Sequence, residues 1–174
     1  PRMETTPMQA IDPKAVAGRR AAQYVVDGMT VGLGTGSTVA FTIEELGRRI
    51  RAEGLSIRAV PTSLDTEGKA RALDIPLVTL DEVSRIDLTI DGADEIDANF
   101  DMIKGGGGAL LREKVVASAS KRGVIVVGEN KVVPRLGTTF ALPVEIVPFA
   151  RGPVRRALVA LGCEPVLRAR FGRA

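Results

Sequence analysis

Residues 87–120, DLTIDGADEIDANFDMIKGGGGALLREKVVASAS, constrain the fold more than any other stretch. A short apolar run, Asp87–Ile90, leads into two close carboxylates, Asp91 and Asp94. Lys104 stands alone ten residues beyond Asp94, and Gly105–Gly108 follow it. A helical pattern then runs from about Ala109 to Lys121, with Glu113 in its first two turns. An apolar run too short for a helix, then glycines, then helical spacing reads as strand–loop–helix. Four consecutive glycines cost conformational entropy on folding, so the run implies a close backbone approach. Ligands of α/β sheets bind at the carboxyl ends of strands. Asp91, Asp94, Lys104 and Glu113 therefore form a candidate site on one supersecondary unit.

The rest of the chain repeats that alternation. Asp12 is placed to cap a helix with Pro13 at its first position. Ala15, Val16, Ala21, Ala22 and Val25 give this helix an apolar side, and Lys14 lies in its first turn. Met29–Leu33, Ser56–Val60, Leu77–Leu80, Ile86–Ile90 and Gly123–Val127 read as strands. Helices are expected from about Thr38 to Ala52 and over Asp65–Leu73. Gly128-Glu129-Asn130-Lys131 is a polar loop at a strand's carboxyl end. Near-continuous apolar strands alternating with helices predict an α/β domain: a Rossmann-like parallel sheet with helices on both faces. It spans residues 1–138, of which 1–10 read as disordered. Beyond it, Val144–Val147 reads as a short strand between prolines. A helix over Arg151–Leu161 stops at Gly162, and Glu164–Arg168 reads as a further strand. Residues 139–174 are thus the beginning of a small α+β subdomain, incomplete as it stands.

Gly34-Thr35-Gly36-Ser37-Thr38 joins a strand to a helix. The free N–H groups and positive dipole end of a helix N-terminus suit an anion. A phosphate cradle is favoured over an ordinary glycine turn with a serine cap. Dinucleotide binding fits less well: the third glycine of that fingerprint is missing. The second strand also ends in Pro61-Thr62-Ser63, with no acid at its tip.

Composition removes whole classes of chemistry. The chain has no histidine, which excludes Ser-His and Cys-His nucleophiles and histidine-based zinc sites. Cys163 is the one cysteine and reads as a small buried residue; no intramolecular disulfide can form, which suits a reducing, cytoplasmic setting. The start, PRMETTPMQA, lacks the apolar core of a signal peptide. Gly28–Ile43 is broken by glycines and does not read as a membrane span. The net charge of +3 is too small to argue for nucleic acid. The arginines after residue 150 (151, 155, 156, 168, 170 and 173) read as a solvated face, because no aromatic residues interleave with them.

The four candidate residues suit proton transfer beside a carbonyl. Such a step needs a base of moderate strength and stabilisation of a developing enediolate. Glutamate is too acidic in water, but burial and neighbouring carboxylates raise its pKa. Lys104 and the glycine-loop N–H groups can neutralise the enediolate oxygen. The plainer readings make Asp91 and Asp94 turn residues. Glu113 becomes a solvated glutamate opposite the apolar Leu110, Leu111, Val115 and Ala119. A hard-cation site on the two aspartates is a further option.

IDGADEID at 90–97, IKGGGGALLREK at 103–114, GLGTGST at 32–38 and LPVEIVPFA at 142–150 resemble the ribose-5-phosphate isomerase type A family, in order, from about Lys14 to Val166. The resemblance implies interconversion of D-ribose 5-phosphate and D-ribulose 5-phosphate through an enediol, without metal or cofactor. By that similarity Glu113 is the general base, and Asp91 and Asp94 line the sugar and assist ring opening. Lys104 and Gly105, Gly106 and Gly107 bind substrate and stabilise the enediolate, with Gly92 and Ala93 beside them. Thr35, Gly36, Ser37 and Thr38 form the phosphate side, and Lys131 and Lys14 are further ligand contacts. The family implies a homodimer or homotetramer and a small sugar phosphate as partner, with neither nucleic acid nor membrane. Family members continue beyond this chain's end.

The alternative is a sugar-phosphate sensor on the same fold. It would keep the phosphate loop but could lose the base, and here both Glu113 and Lys104 are present. No basic helix-turn-helix pattern accompanies it. A coenzyme A transferase half would need a covalent glutamate and a second chain. Related amino-sugar phosphate deaminases rely on a histidine. The second type of ribose-5-phosphate isomerase relies on cysteine, and Cys163 lies in none of the motifs.

Overall fold

The first helix, α1 (Pro13–Ala22), begins where the Asp12 carboxylate accepts the Lys14 amide at 2.9 Å, with Pro13 in the first turn. This is a computed structural model, and it describes residues 12–168. The expected disorder of residues 1–10, and Arg170 and Arg173, lie outside those residues. The chain divides into two compact units, Pro1–Pro143 and Val144–Ala174.

In the first unit, β1 (Thr30–Leu33) is followed by α2 (Ser37–Glu53), β2 (Arg58–Pro61), α3 (Leu64–Ala72) and β3 (Leu88–Asp91). Then come β4 (Glu95–Ile96), β5 (Met102–Ile103), α4 (Leu110–Ser118) and β6 (Gly123–Ile125). Four strands form a parallel sheet in the order β2-β1-β3-β6. Because side chains alternate along a strand, register assigns the two faces. Val31, Leu33, Ala59, Leu88 and Ile90 share one face and pack into the main core with Ala21 and Ala22 of α1 and Val39, Ile43 and Leu46 of α2. Gly32, Val60 and Thr89 face the other way, toward Val116 of α4. Helices therefore cover both faces, as expected of a Rossmann-like sheet.

The crossover from β1 through α2 reaches β2 on one side, while β3 lies on the other. Connections leave in opposite directions at that point, and a crevice opens at the carboxyl ends of β1 and β3. The loops there carry Gly34–Gly36 and Asp91–Asp94.

Several expectations are corrected. The strand over Leu77–Leu80 reduces to one bridge, Leu77 to Ala59, before a 3₁₀ turn at Leu80–Glu82. Pro76 has no N–H to extend the ladder, and Glu82 draws the Thr79 amide into a capping box. Val144–Val147 and Glu164–Arg168 are irregular, and among the described residues neither run forms a β-ladder. Val16 and Cys163 are exposed. Val16 lies on the side of α1 opposite the face that buries Ala15, Gly18, Ala21 and Ala22, and Cys163 follows the end of a helix with no buried residue. The first compact unit runs to Pro143, and within it Gly137, Thr139 and Phe140 are held to Glu95 of β4. In the second unit, α5 (Arg151–Ala160) is followed by Gly162 at φ 81°. Its residues, and Phe149 before it, are not buried.

Candidate active site

The β4–β5 hairpin is the element that sequence reading missed, and it aims the acidic stretch. Its strands are only two residues each. Asp97 Oδ1 accepts the amides of Asn99 and Asp101, an Asx turn that closes the hairpin. The Asp94 amide donates to Ile103 O at 2.8 Å. Asp94 Oδ2 in turn accepts the Gly106 amide at 2.6 Å. A Cβ on Gly106 would lie 2.2 Å from Asp94 Oδ1, which is why glycine is needed there. Gly105 turns at φ 105°, a conformation side chains resist.

Lys104 follows β5 and sits between two carboxylates. Its Nζ is 3.0 Å from Asp91 Oδ2 and 3.3 Å from Glu113 Oε2, and it donates to the Gly92 carbonyl. Asp91 Oδ1 accepts the amides of Thr35 at 3.1 Å and Gly92 at 2.8 Å. Glu113 is only 5% exposed, whereas Leu111 and Val115 are 61% and 43% exposed. The helix thus turns opposite to the apolar pattern: Glu113 and Val116 face inward. Burial raises the Glu113 pKa above the ordinary 4.5, and the Asp91 carboxylate adds to the rise, against the pull of Lys104. The outcome is a stronger base than free glutamate, beside a cation.

At the other end, Gly36, φ 130°, stands at the N-cap of α2 without a side-chain cap. Lys14 Nζ donates to Ser37 Oγ at 3.0 Å. A helix N-terminus with a nearby ammonium is an anion site in chemical terms.

A cavity of about 370 Å³ joins the two ends. Its wall includes Lys14, Thr35, Gly36, Ser37, Thr38, Gly92, Ala93, Asp94, Lys104, Gly105, Gly106, Gly107, Glu113 and Lys131. Of the candidates, Asp91 alone is not on the wall; it lies behind Lys104, 3% exposed. The sequence reading missed Asn130, Val126, Val127, Gly128 and Val39, which also line the cavity. Asn130 could have been found from its place beside Lys131 after a strand. Among the described residues, no group of three His, Cys, Asp or Glu side chains is placed to hold a metal ion.

The profile of the family described as Ribose 5-phosphate isomerase A (phosphoriboisomerase A) matches residues 58–174. The chain is 55% identical over 160 residues to Ribose-5-phosphate isomerase A of Bacillus mycoides (strain KBAB4), covering 92% of this chain and 72% of that one. Among solved structures it resembles ribose 5-phosphate isomerase from Plasmodium falciparum with a TM-score of 0.87 and 44% identity, over 92% of this chain and 71% of the other. A D-ribose-5-phosphate isomerase in complex with phospho-erythronic acid gives a TM-score of 0.86 and 37% identity, over 89% and 68%.

Proposed function

Because the chain belongs to the ribose 5-phosphate isomerase A family, we propose that it interconverts D-ribose 5-phosphate and D-ribulose 5-phosphate through an enediol. The observation that carries the mechanism is the buried Glu113 carboxylate 3.3 Å from Lys104 on the cavity wall. Glu113 takes the proton from C2 of the open-chain aldose, and the C2–H electron pair becomes the C1=C2 bond. The carbonyl electron pair moves onto O1, where Lys104 and the Gly105–Gly107 backbone stabilise the negative charge. A proton passes from O2 to O1. Glu113 returns its proton to C1 as the O2 carbonyl forms, so the base ends as it began. Asp94, on the wall, handles hydroxyl protons during ring opening. Asp91 holds Lys104 and raises the basicity of Glu113.

Lys14, Ser37, Thr38 and the start of α2 receive the phosphate, with Lys131 a further contact. The relative solved with phospho-erythronic acid supports this arrangement. That ligand carries a phosphate and a carboxylate, the latter planar like an enediolate. No step calls for a metal or cofactor. We read the protein as a cytoplasmic enzyme of the pentose phosphate pathway. No described helix is long and apolar enough to cross a membrane. A homo-oligomer, dimer or tetramer, is supported by the exposed Phe149 and Leu161 of the second unit.

The test is formation of ribulose 5-phosphate from ribose 5-phosphate with a chelator present. Turnover that survives chelation is the expected result. Binding of the sugar phosphate without turnover would instead favour a sensor.

A further inference from the structure

Four hydroxyls behind the cavity form a chain whose direction can be worked out. Thr66 Oγ1 donates to the Gly34 carbonyl at 2.7 Å, and a carbonyl can only accept. Having spent its one proton, Thr66 Oγ1 accepts from Ser63 Oγ at 3.1 Å. Ser63 Oγ accepts from Thr35 Oγ1 at 2.8 Å. Thr62 is fully buried, and its hydroxyl meets Thr35 Oγ1 at 2.9 Å. An undonated buried proton is costly, so Thr62 donates. The order is Thr62 to Thr35 to Ser63 to Thr66 to the Gly34 carbonyl. Thr35 has then no proton left for an anion in the cavity, although it stands on the cavity wall. Its longer contact to Thr66, 3.3 Å, also points inward.

The chain ends on a peptide unit with a second task. The carbonyl of Gly34 and the N–H of Thr35 belong to one peptide group. Thr66 grips its carbonyl, and its N–H donates to Asp91 Oδ1 at 3.1 Å. Asp91 Oδ2 is the oxygen 3.0 Å from Lys104. Polarising the carbonyl strengthens the N–H as a donor. Thr66 is buried and lies outside the cavity wall.

We propose that Thr66 is a positioning residue for the isomerisation: its hydroxyl locks the Gly34–Thr35 peptide that holds Asp91 against Lys104, and the Thr35 hydroxyl serves this chain and not the substrate phosphate. The proposal rests on the isomerase reading for its consequence, but its geometry has a readout of its own. Thr66→Val keeps the shape and removes the donor; Thr66→Ser keeps the donor. With ribose 5-phosphate, Thr66→Val is expected to lower kcat about ten-fold and leave KM within about two-fold. Thr66→Ser should recover most of the loss. Thr35→Val should follow Thr66→Val, with inhibition by inorganic phosphate unchanged, and the double variant should lose little more than either single one.

In amide NMR spectra, the Thr35 proton should shift upfield and exchange faster in Thr66→Val, and return toward the parent position in Thr66→Ser. Where Thr66→Val does not fold, Thr66→Ala removes the same donor to the Gly34 carbonyl and takes its place. An unmoved Thr35 amide in the folded variant overturns the proposal, whether or not the protein turns over substrate. So does a Thr35→Val variant that raises KM and weakens phosphate inhibition at unchanged kcat. A parent without isomerase activity would overturn the isomerase reading alone, and the amide measurement would still decide this one.

Discussion

Gly34 lies where the strands bearing the two halves of the site come closest. A Cβ built there would be 2.2 Å from Asp91 Oδ1, 2.4 Å from its Cγ and 2.6 Å from its Cα. The carboxylate could swing away, but the backbone of Asp91 cannot move without opening the sheet. Ordinary carbon–carbon approach begins near 3.4 Å, so the end of β3 must retreat by roughly 1 Å in Gly34→Ala. That retreat stretches the Gly34 N–H bond to Ile90 O, now 2.8 Å, and the Thr35 N–H bond to Asp91. Lys104 follows Asp91 and leaves Glu113. A misplacement of about 1 Å costs on the order of 100-fold in rate, and overpacking costs about 1–3 kcal/mol. The assay is kcat/KM for ribose 5-phosphate together with urea unfolding. Gly68→Ala is the control: Gly68 lies within α3 with nothing within 4 Å of an added Cβ. It should gain about 0.5–1 kcal/mol of stability and keep its activity. A Gly34→Ala variant with parent-like kcat/KM would refute the reasoning that links this close approach to the site.

Three further outcomes follow from charge. Glu95 is fully buried and held down to about 2 by the Thr139 hydroxyl and the amides of Thr139, Gly137 and Phe140. Its contribution to stability is present above the ordinary glutamate value of 4.5 and is lost as pH falls through about 2. Glu95→Gln should melt lower than the parent at neutral pH, and thermal melts should converge across that acid window; a pH-independent gap would count against it. Glu113 has the opposite sign: stability is full below 4.5 and falls as pH rises through its raised value. Glu113→Gln should therefore melt above the parent at neutral pH and match it in acid. The same shift places the acid limb of kcat/KM above 4.5 in the parent, and Asp91→Asn should move that limb to lower pH. A limb left in place would show that Asp91 does not raise the Glu113 pKa.

Much of this site was legible because it lies on glycine-rich loops after strands, where Gly34 and Gly106 make close approaches that a side chain would block and Gly36, Gly105 and Gly108 turn at positive φ. The side of α4 that carries Glu113 was not legible. Leu110, Leu111, Val115 and Ala119 read as its apolar stripe, yet Leu111 and Val115 are exposed and Glu113 is buried. Local rules break where function demands it. The β4–β5 hairpin escaped notice because two-residue strands, Glu95–Ile96 and Met102–Ile103, set among the aspartates of the flanking loop, carry almost no strand signal. The partners of Glu95 lie more than forty residues away in the chain, so nothing local could reveal that this carboxylate ties residues 137–140 to the first unit.

The central claim is that Glu113 carries the proton between C2 and C1. The direct measurement is isomerisation of ribose 5-phosphate in deuterium oxide, with the parent and Glu113→Gln side by side. The parent should form ribulose 5-phosphate carrying solvent deuterium at C1, because a carboxyl group exchanges its proton with water during the enediol's life. Glu113→Gln should fall by about 10²–10⁴-fold in turnover and in deuterium incorporation together. A Glu113→Gln variant that isomerises at the parent rate with the same deuterium content would contradict the account.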